Sequence, residues 1–302
     1  MNIKDIVFKK ITLEDKEAIE FYLLKYSSFC LSAFTFSSLV SWATVYHYQW
    51  TILDDTLLIQ LMTTDDNKEQ LMQPIGEFPE TLQNRIIQYA RTLDYRLTIY
   101  GVSNAFISLH PEFVAHFERI EHRDMDNYIY SAEDLATLKG GNYQPKRNLI
   151  NQFEASNNWT TESVSIQNIP ECFEVIEKIY KENEVDSTSY LAHELRSLDF
   201  VLTHFSKLKE EGVLIRIDGK PVAFSIYEHL NPSTCVVHFE KAIRDYKGLY
   251  QLVNRETAKK IVSKGCQNIN REEDLGIEGL RKAKLSYRPI KLCTSDSLVF
   301  KK

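Results

Sequence analysis

Residues 213–227 read VLIRIDGKPVAFSIY. Two runs rich in β-branched and aromatic residues flank Asp218-Gly219, a pair that tolerates the positive φ angles of a tight hairpin turn. The strands are expected over Gly212 to Ile217 and Val222 to His229. Asn231-Pro232 then turns the chain into a third strand, Thr234 to Lys241. A basic turn, Arg244-Asp245-Tyr246-Lys247-Gly248, leads into a helix from Leu249 to Lys264. Leu252, Val253, Ile261 and Val262 are its inward face, and Gly265 closes it.

Upstream of the hairpin, Thr160 to Val164 reads as a strand. Two helices follow it, Pro170 to Lys181 and Ser189 to Lys209. Earlier still, Ser131 caps a short helix that ends at Gly140-Gly141, and Pro145 opens another that buries Leu149, Ile150 and Phe153. The first half of the chain repeats this order. Ile6 to Ile11 is a strand, and helices follow from Thr12 and from Ser37 or Ser38. Tyr48 to Leu53 and Leu57 to Met62 form a hairpin about Asp54-Asp55. Pro79 opens a helix, Arg96 to Tyr100 is a strand, Asn104 to Phe117 is mixed, and Tyr128 to Tyr130 is a short strand. The fold class is therefore α/β with mixed sheets, one architecture used twice. The expected domains are 1–130, a helical bridge 131–157, and 158–302.

A chain of 302 residues is comfortable for two domains. Its 36 basic and 42 acidic residues give a net charge of −6. That balance disfavours DNA as a partner, while a local basic cleft stays compatible with it. Five scattered cysteines include no CxxC pair. They read as free thiols in a reducing cytoplasm, and no zinc spacing or other metal set is visible. The N-terminus is too charged for a secretory signal. Phe29 to Tyr48 has the length of a membrane helix, but its hydroxyls, aromatics and His47 make it a buried amphipathic segment, so no integral span is expected.

Two stretches concentrate chemistry. NREEDLGIEGLRKAKLSYRP (270–289) packs carboxylates, bases and two glycines into a strand end, an acidic loop and a short basic helix. GGNYQPKRNLINQF (140–153) sets Arg147, Asn148 and Asn151 on a helix face opposite Leu149, Ile150 and Phe153. Arg147 and Asn151 are four apart, hence neighbours. A guanidinium beside an amide suits a phosphate or carboxylate. A structural arginine set against a carboxylate such as Asp274 accounts for Arg147 equally well. The acidic run of the first stretch likewise reads either as a site or as a helix N-terminal cap. Lys146 reads as solvated.

The order of elements around 213–250 resembles the GNAT acyltransferase fold. There, the turn before the helix binds the pyrophosphate of coenzyme A through free N–H groups and the helix dipole. Here Arg244, Lys247 and Gly248 are the candidates for donor phosphate. The turn has one glycine where the usual motif has two, and Tyr250 stands in the second place. The two chemical stretches more specifically resemble the C-terminal domain of the phosphatidylglycerol lysyltransferases, a family itself similar to the peptidoglycan-bridge aminoacyltransferases. The resemblance implies two tandem GNAT-like domains over essentially the whole chain.

It also implies transfer of an acyl or aminoacyl group to an amine or hydroxyl. The donor would be an aminoacyl-tRNA or acyl-CoA, with no further cofactor required. The acceptor would be a small molecule or lipid. Such chemistry needs a proton acceptor, donors for the oxyanion and a proton for the leaving group. Asp274 or Glu272 is expected to take the proton, and Tyr287 to supply one. Arg281 and Lys284, with Asn270, Arg147, Asn148 and Asn151, are the expected substrate-binding groups. The motifs are expected to converge, with Arg147, Asp274 and Arg281 in one cleft of the second unit. His238 and Glu240 fit either a polar site or an exposed strand face. No Ser/His/Asp or Cys/His pattern points to an acyl-enzyme. The single-glycine turn motivates an alternative, a non-catalytic ligand-binding protein on a degenerate acyltransferase fold.

Overall fold

A computed structural model describes residues 6–26, 30–62, 68–180 and 189–302. Phe29 and Lys181, which bound two of the expected segments, lie outside the described residues. The chain forms two compact units. Unit 1 is 1–127 with 273–278 and 292–302, and unit 2 is 128–272 with 279–291. The expected division differs in several places, among them residues 128–130, which fall in unit 2, and residues 273–278, which fall in unit 1. Residues 131–157, expected as a bridge, pack within unit 2, and the last eleven residues, expected in the second domain, pack within unit 1.

The strands of unit 1 are β1 (Lys9–Lys10), β2 (Gln49–Leu53), β3 (Thr56–Met62), β4 (Glu69–Met72), β5 (Ile75–Gly76), β6 (Thr98–Val102) and β7 (Phe117–Ile120). Those of the second sheet are β8 (Asn127–Ser131), β9 (Trp159–Ser163), β10 (Glu211–Ile217), β11 (Lys220–Asn231), β12 (Thr234–Ala242), β13 (Asn268–Asn270) and β14 (Lys291–Cys293). The final strand, β15 (Asp296–Phe300), returns to unit 1. The first sheet runs β1-β2-β3-β4-β6-β15-β7, with β5 on β3, and the second runs β14-β8-β13-β12-β11-β10-β9.

Both expected hairpins form with the backbone their turn residues permit. Asp54 and Asp55 sit at φ 48° and 52°, and Asp218 and Gly219 at 49° and 76°, the paired positive angles that match strand twist. In unit 1, β15 inserts between β6 and β7 and pairs with both. It brings Leu298 and Phe300 into a core with Ile86, Ile99 and Phe113. Nothing local marks β15 as part of the first sheet, because its partners lie far back in the sequence.

The same return corrects the reading of five free thiols. Cys30 and Cys293, 263 residues apart, form a disulfide, while Cys172, Cys235 and Cys266 remain thiols. The sequence separation hid the pair, and the fold of unit 1 brings both residues together.

In unit 2, Ala223 to Tyr227 of β11 are buried without interruption, so both faces of the strand are covered. Helices α1 (Ile169–Tyr180) and α2 (Leu249–Ser263) pack on this sheet. A hydroxyl contact at 2.5 Å between Ser225 and Thr257 ties β11 to α2. Helix Gln144–Ser156 and the short helix Ala132–Thr137 pack on α2.

Because the disulfide closes a very long loop, Cys30→Ser should cost about 2–4 kcal/mol in denaturant unfolding. A reductant should lower the melting temperature of the parent and leave that of the variant unchanged. Equal effects on both would place the stabilisation elsewhere.

Candidate functional site

The parallel ladder between β12 and β13 covers only Thr234–Val236 against Asn268–Asn270. Past it, both strands change course. In β12, Tyr227 pairs with Val237 and Ile226 with Phe239, so His238 is an extra, bulged residue, a device that re-aims a side chain. After β13, Glu272 takes a positive φ of 58°. The Arg271 N–H donates to the Tyr128 carbonyl at 3.0 Å, and the Tyr128 N–H donates to the Glu272 carbonyl at 3.1 Å. The Asn270 side-chain oxygen accepts from the Glu272 N–H at 2.6 Å and holds the turn. Strand β8 thus takes the backbone, while the Arg271 and Glu272 side chains reach β12.

Three ion pairs result, two of them on His238. His238 donates through Nε2 to Glu228 and through Nδ1 to Glu272, both at 2.8 Å. A ring donating from both nitrogens is an imidazolium. Burial would lower its pKa, but the two carboxylates outweigh burial and hold it well above the ordinary value. A third carboxylate, Glu210, has an oxygen within 4.8 Å of both His238 and Glu228. Glu210, Glu228 and His238 could together hold a cation, yet the imidazolium already supplies positive charge there.

In the third pair, Arg271 donates from Nη2 to Glu240 at 2.9 Å. Its guanidinium lies 5.0 Å from the Tyr287 ring centre and 5.9 Å from that of Tyr130. Asn254 donates to the other Glu240 oxygen at 3.3 Å. Burial pushes the Tyr287 phenol up, which keeps it protonated, although Arg271 pulls the other way. Lys146 Nζ sits 3.9 Å from the Tyr287 ring centre and donates to Ser286 Oγ at 2.8 Å. It is not simply solvated. Burial, then Arg271 and Arg288, lower its pKa.

A short helix, α3 (Glu278–Leu285), precedes Tyr287. Lys284 is 8% exposed and donates to the Arg271 carbonyl. The Lys284 carbonyl accepts from the Tyr130 hydroxyl at 2.9 Å, and the Tyr287 carbonyl from the Tyr143 hydroxyl at 3.0 Å. Lys284 therefore fastens α3 to the sheet.

Of the residues singled out from sequence, Glu272, Asn270, Tyr287, Lys284, His238 and Glu240 come together here. Asp274 does not. It is fully buried in unit 1, where its Oδ1 accepts from the Gly276 N–H at 2.9 Å and its Oδ2 lies 3.5 Å from Arg123. It is a turn residue, and the expected convergence with Arg147 and Arg281 in unit 2 fails for that reason. Arg147 donates to the carbonyls of Leu138 and Gly140 just past the short helix Ala132–Thr137. Its partners are thus backbone carbonyls of the turn after a helix rather than a carboxylate. Asn148 and Asn151 are exposed on the same helix, and Arg281 is half-buried on α3.

Arg244 and Lys247 are exposed, while Gly248 is buried at φ 94°. A Cβ on Gly248 would stand 2.4 Å from the Leu149 carbonyl oxygen, so this glycine lets two helices meet. Glu228 and Arg271 were missed from sequence. A charge at the end of the buried run in β11 was the available sign for Glu228. Arg271 lies inside the acidic stretch, where its neighbours drew the reading away from it.

Two stability outcomes follow. A raised imidazolium pKa stabilises the fold fully below about pH 6.5, the unfolded value. That contribution is lost as pH rises through the folded value. The melting-temperature advantage of the parent over His238→Gln should therefore shrink from pH 6 upward, and a constant difference would contradict the imidazolium. Arg271→Ala strands the mostly buried Glu240 and should cost about 3–5 kcal/mol. Arg147→Ala, which removes charge-assisted bonds to carbonyls, should cost about 1.5–3 kcal/mol. Urea titrations rank the two, and a larger loss at Arg147 would overturn this assignment.

Comparisons with known proteins agree with this fold. The sequence model described as phosphatidylglycerol lysyltransferase, C-terminal, matches residues 29–294. A conserved protein of unknown function from Bacteroides thetaiotaomicron is similar, with 33% identity and a TM-score of 0.90 over 98% of this chain and 100% of that one. The L-PGS structure from Bacillus licheniformis is 13% identical, with a TM-score of 0.68 over 99% of this chain and 94% of that one. A tandem GNAT protein from the clavulanic acid biosynthesis pathway shares the fold at 10% identity and a TM-score of 0.52, over 98% and 99% of the two chains. A search among curated proteins gives no match. Among the described residues, no helix is long and apolar enough to cross a membrane. The architecture is two tandem GNAT-like units, and the chain belongs to the family of the phosphatidylglycerol lysyltransferase C-terminal domain.

Proposed function

We propose that the protein transfers an aminoacyl or acyl group from an activated ester to an amine or hydroxyl, at the split between β12 and β13. The carrying observation is Glu272, a partly exposed carboxylate held by the His238 imidazolium beside the Arg271, Tyr287 and Lys146 group. In this reading Glu272 takes the proton of the acceptor as its nitrogen or oxygen bonds to the ester carbonyl. The protonated Tyr287 donates a hydrogen bond to the developing oxyanion. Lys146, an ammonium that gives up its proton more readily than a solvated one, protonates the leaving group as its bond to the carbonyl carbon breaks.

The donor's phosphate is assigned to Arg244 and Lys247 at the N-terminus of α2, where the dipole favours an anion. Family membership and the L-PGS likeness favour a charged tRNA over acyl-CoA as donor, with a lipid or small molecule as acceptor. A second reading, ligand binding without catalysis, draws on the α2 turn. Its one glycine is used for helix packing, and Tyr250, 38% exposed, occupies the first turn.

Calorimetry with a charged tRNA and with acetyl-CoA, followed by mass spectrometry of amine acceptors, separates the readings. Glu272→Gln should lower the transfer rate about 10²- to 10⁴-fold with donor affinity retained. Full activity in that variant would remove Glu272 from the chemistry. Ligand binding with no transfer to any acceptor would favour the second reading.

A further inference from the structure

Behind the proposed site, unit 2 gathers two thiols and an imidazole. His229 and Cys235 are paired residues of β11 and β12. Cys266 lies between α2 and β13, in a segment fixed by the Gln267 and Asn268 N–H groups, which both donate to the Ser233 carbonyl at 2.9 Å. The two sulfurs are 2.9 Å apart, and His229 Nδ1 lies 3.4 Å from Cys266 Sγ and 3.8 Å from Cys235 Sγ. Both cysteines are buried, while the His229 side chain is 44% exposed. Consecutive strand residues point to opposite faces, so this cluster lies across the sheet from Glu228.

We propose that His229, Cys235 and Cys266 form a Zn²⁺ site. Around a tetrahedral Zn²⁺, sulfur and nitrogen ligand atoms stand about 3.6 Å apart and two sulfurs about 3.8 Å. The two nitrogen–sulfur distances already suit that geometry. The sulfurs separate by about 0.9 Å to admit the ion, a side-chain adjustment. A carboxylate for the outer shell also stands nearby, beyond hydrogen-bond reach of the unmetallated ring. His229 Nε2, the nitrogen turned away from the sulfurs, lies 3.9 Å from Glu211 Oε1. Metal-bound histidines are oriented by such a carboxylate. Glu211 is itself held by Tyr227 at 3.3 Å and Lys264 at 3.1 Å.

Binding releases two protons, because each thiol becomes a thiolate as its sulfur bonds the ion. Two thiolates, a neutral imidazole and Zn²⁺ sum to no net charge, which suits a mostly buried position. The fourth position faces the exposed edge at His229 and is left to water. The site joins the end of β11, the start of β12 and the segment before β13, so the ion clamps the strands whose far ends split at the proposed acyl-transfer site.

The full chain, reduced and stripped of metal with a chelator, is titrated with Zn²⁺ against a chromophoric chelator and separately with Co²⁺. One ion per chain is expected, with thiolate-to-Co²⁺ charge-transfer absorption that Cys235→Ser and Cys266→Ser abolish. Because those cysteines are buried, the surface variants carry the comparison. Glu211→Gln should weaken Zn²⁺ about 10- to 100-fold. His229→Ala should weaken it further, with the metal-free melting temperature unchanged. No stoichiometric uptake by the reduced parent overturns the site. So does equal affinity in His229→Ala, or a Co²⁺ spectrum without thiolate absorption. A resting Cys235–Cys266 disulfide with no uptake on reduction does the same.

Discussion

The structure of unit 2 depends on where the β12–β13 ladder stops. Backbone amides and carbonyls inside a protein must find partners. For three residue pairs the two strands satisfy each other. Beyond them, β8 takes the backbone of Arg271 and Glu272, and β12 bulges at His238. Side chains then do the joining that main chain did before. Polar groups gather at this split because the sheet cannot continue across it.

Joining strands with ions is a costly way to hold a core. Desolvating a charge costs several kcal/mol, and a buried pair recovers this only with good geometry and further hydrogen bonds. His238 and Arg271 meet that condition, since each carboxylate partner lies within 2.9 Å. A hydrophobic packing of the same volume would hold the strands at least as well. That these positions are charged is therefore better explained by chemistry than by stability. The aromatic rings around Arg271 and Lys146 serve the same end, since they shield a cation without neutralising it.

Unit 1 shows a different dependence. Its sheet is complete only when the last strand of the chain slots between β6 and β7, and a disulfide fixes the residue three positions before that strand. The segment 273–278, which carries Asp274, also packs here. One continuous motif in sequence is thus shared between two units. A motif read as a single site therefore supplies a turn to one unit and a cluster of charged groups to the other.

Much of the fold was legible because it rests on local physics. Asp54-Asp55 and Asp218-Gly219 set their hairpins through backbone angles, and Pro79 and Gly265 mark helix ends by what they cannot or can adopt. The motifs at 140–153 and 270–289 carried the family. The candidate site was legible only in part: Glu272, Asn270, Tyr287, Lys284, His238 and Glu240 were named, but Glu228 and Arg271 were not. The pairing of His238 with Glu228 depends on a bulge, and that of Arg271 with Glu240 on a ladder that ends early. Neither has a signature in spacing or periodicity. The disulfide, the place of β15 and the burial of Asp274 in unit 1 depend on contacts across more than a hundred residues. Sequence alone determined which segments could be strands and helices, because that choice is made by neighbours along the chain. Which charged groups met was decided only by tertiary structure, because it depends on where each strand stops.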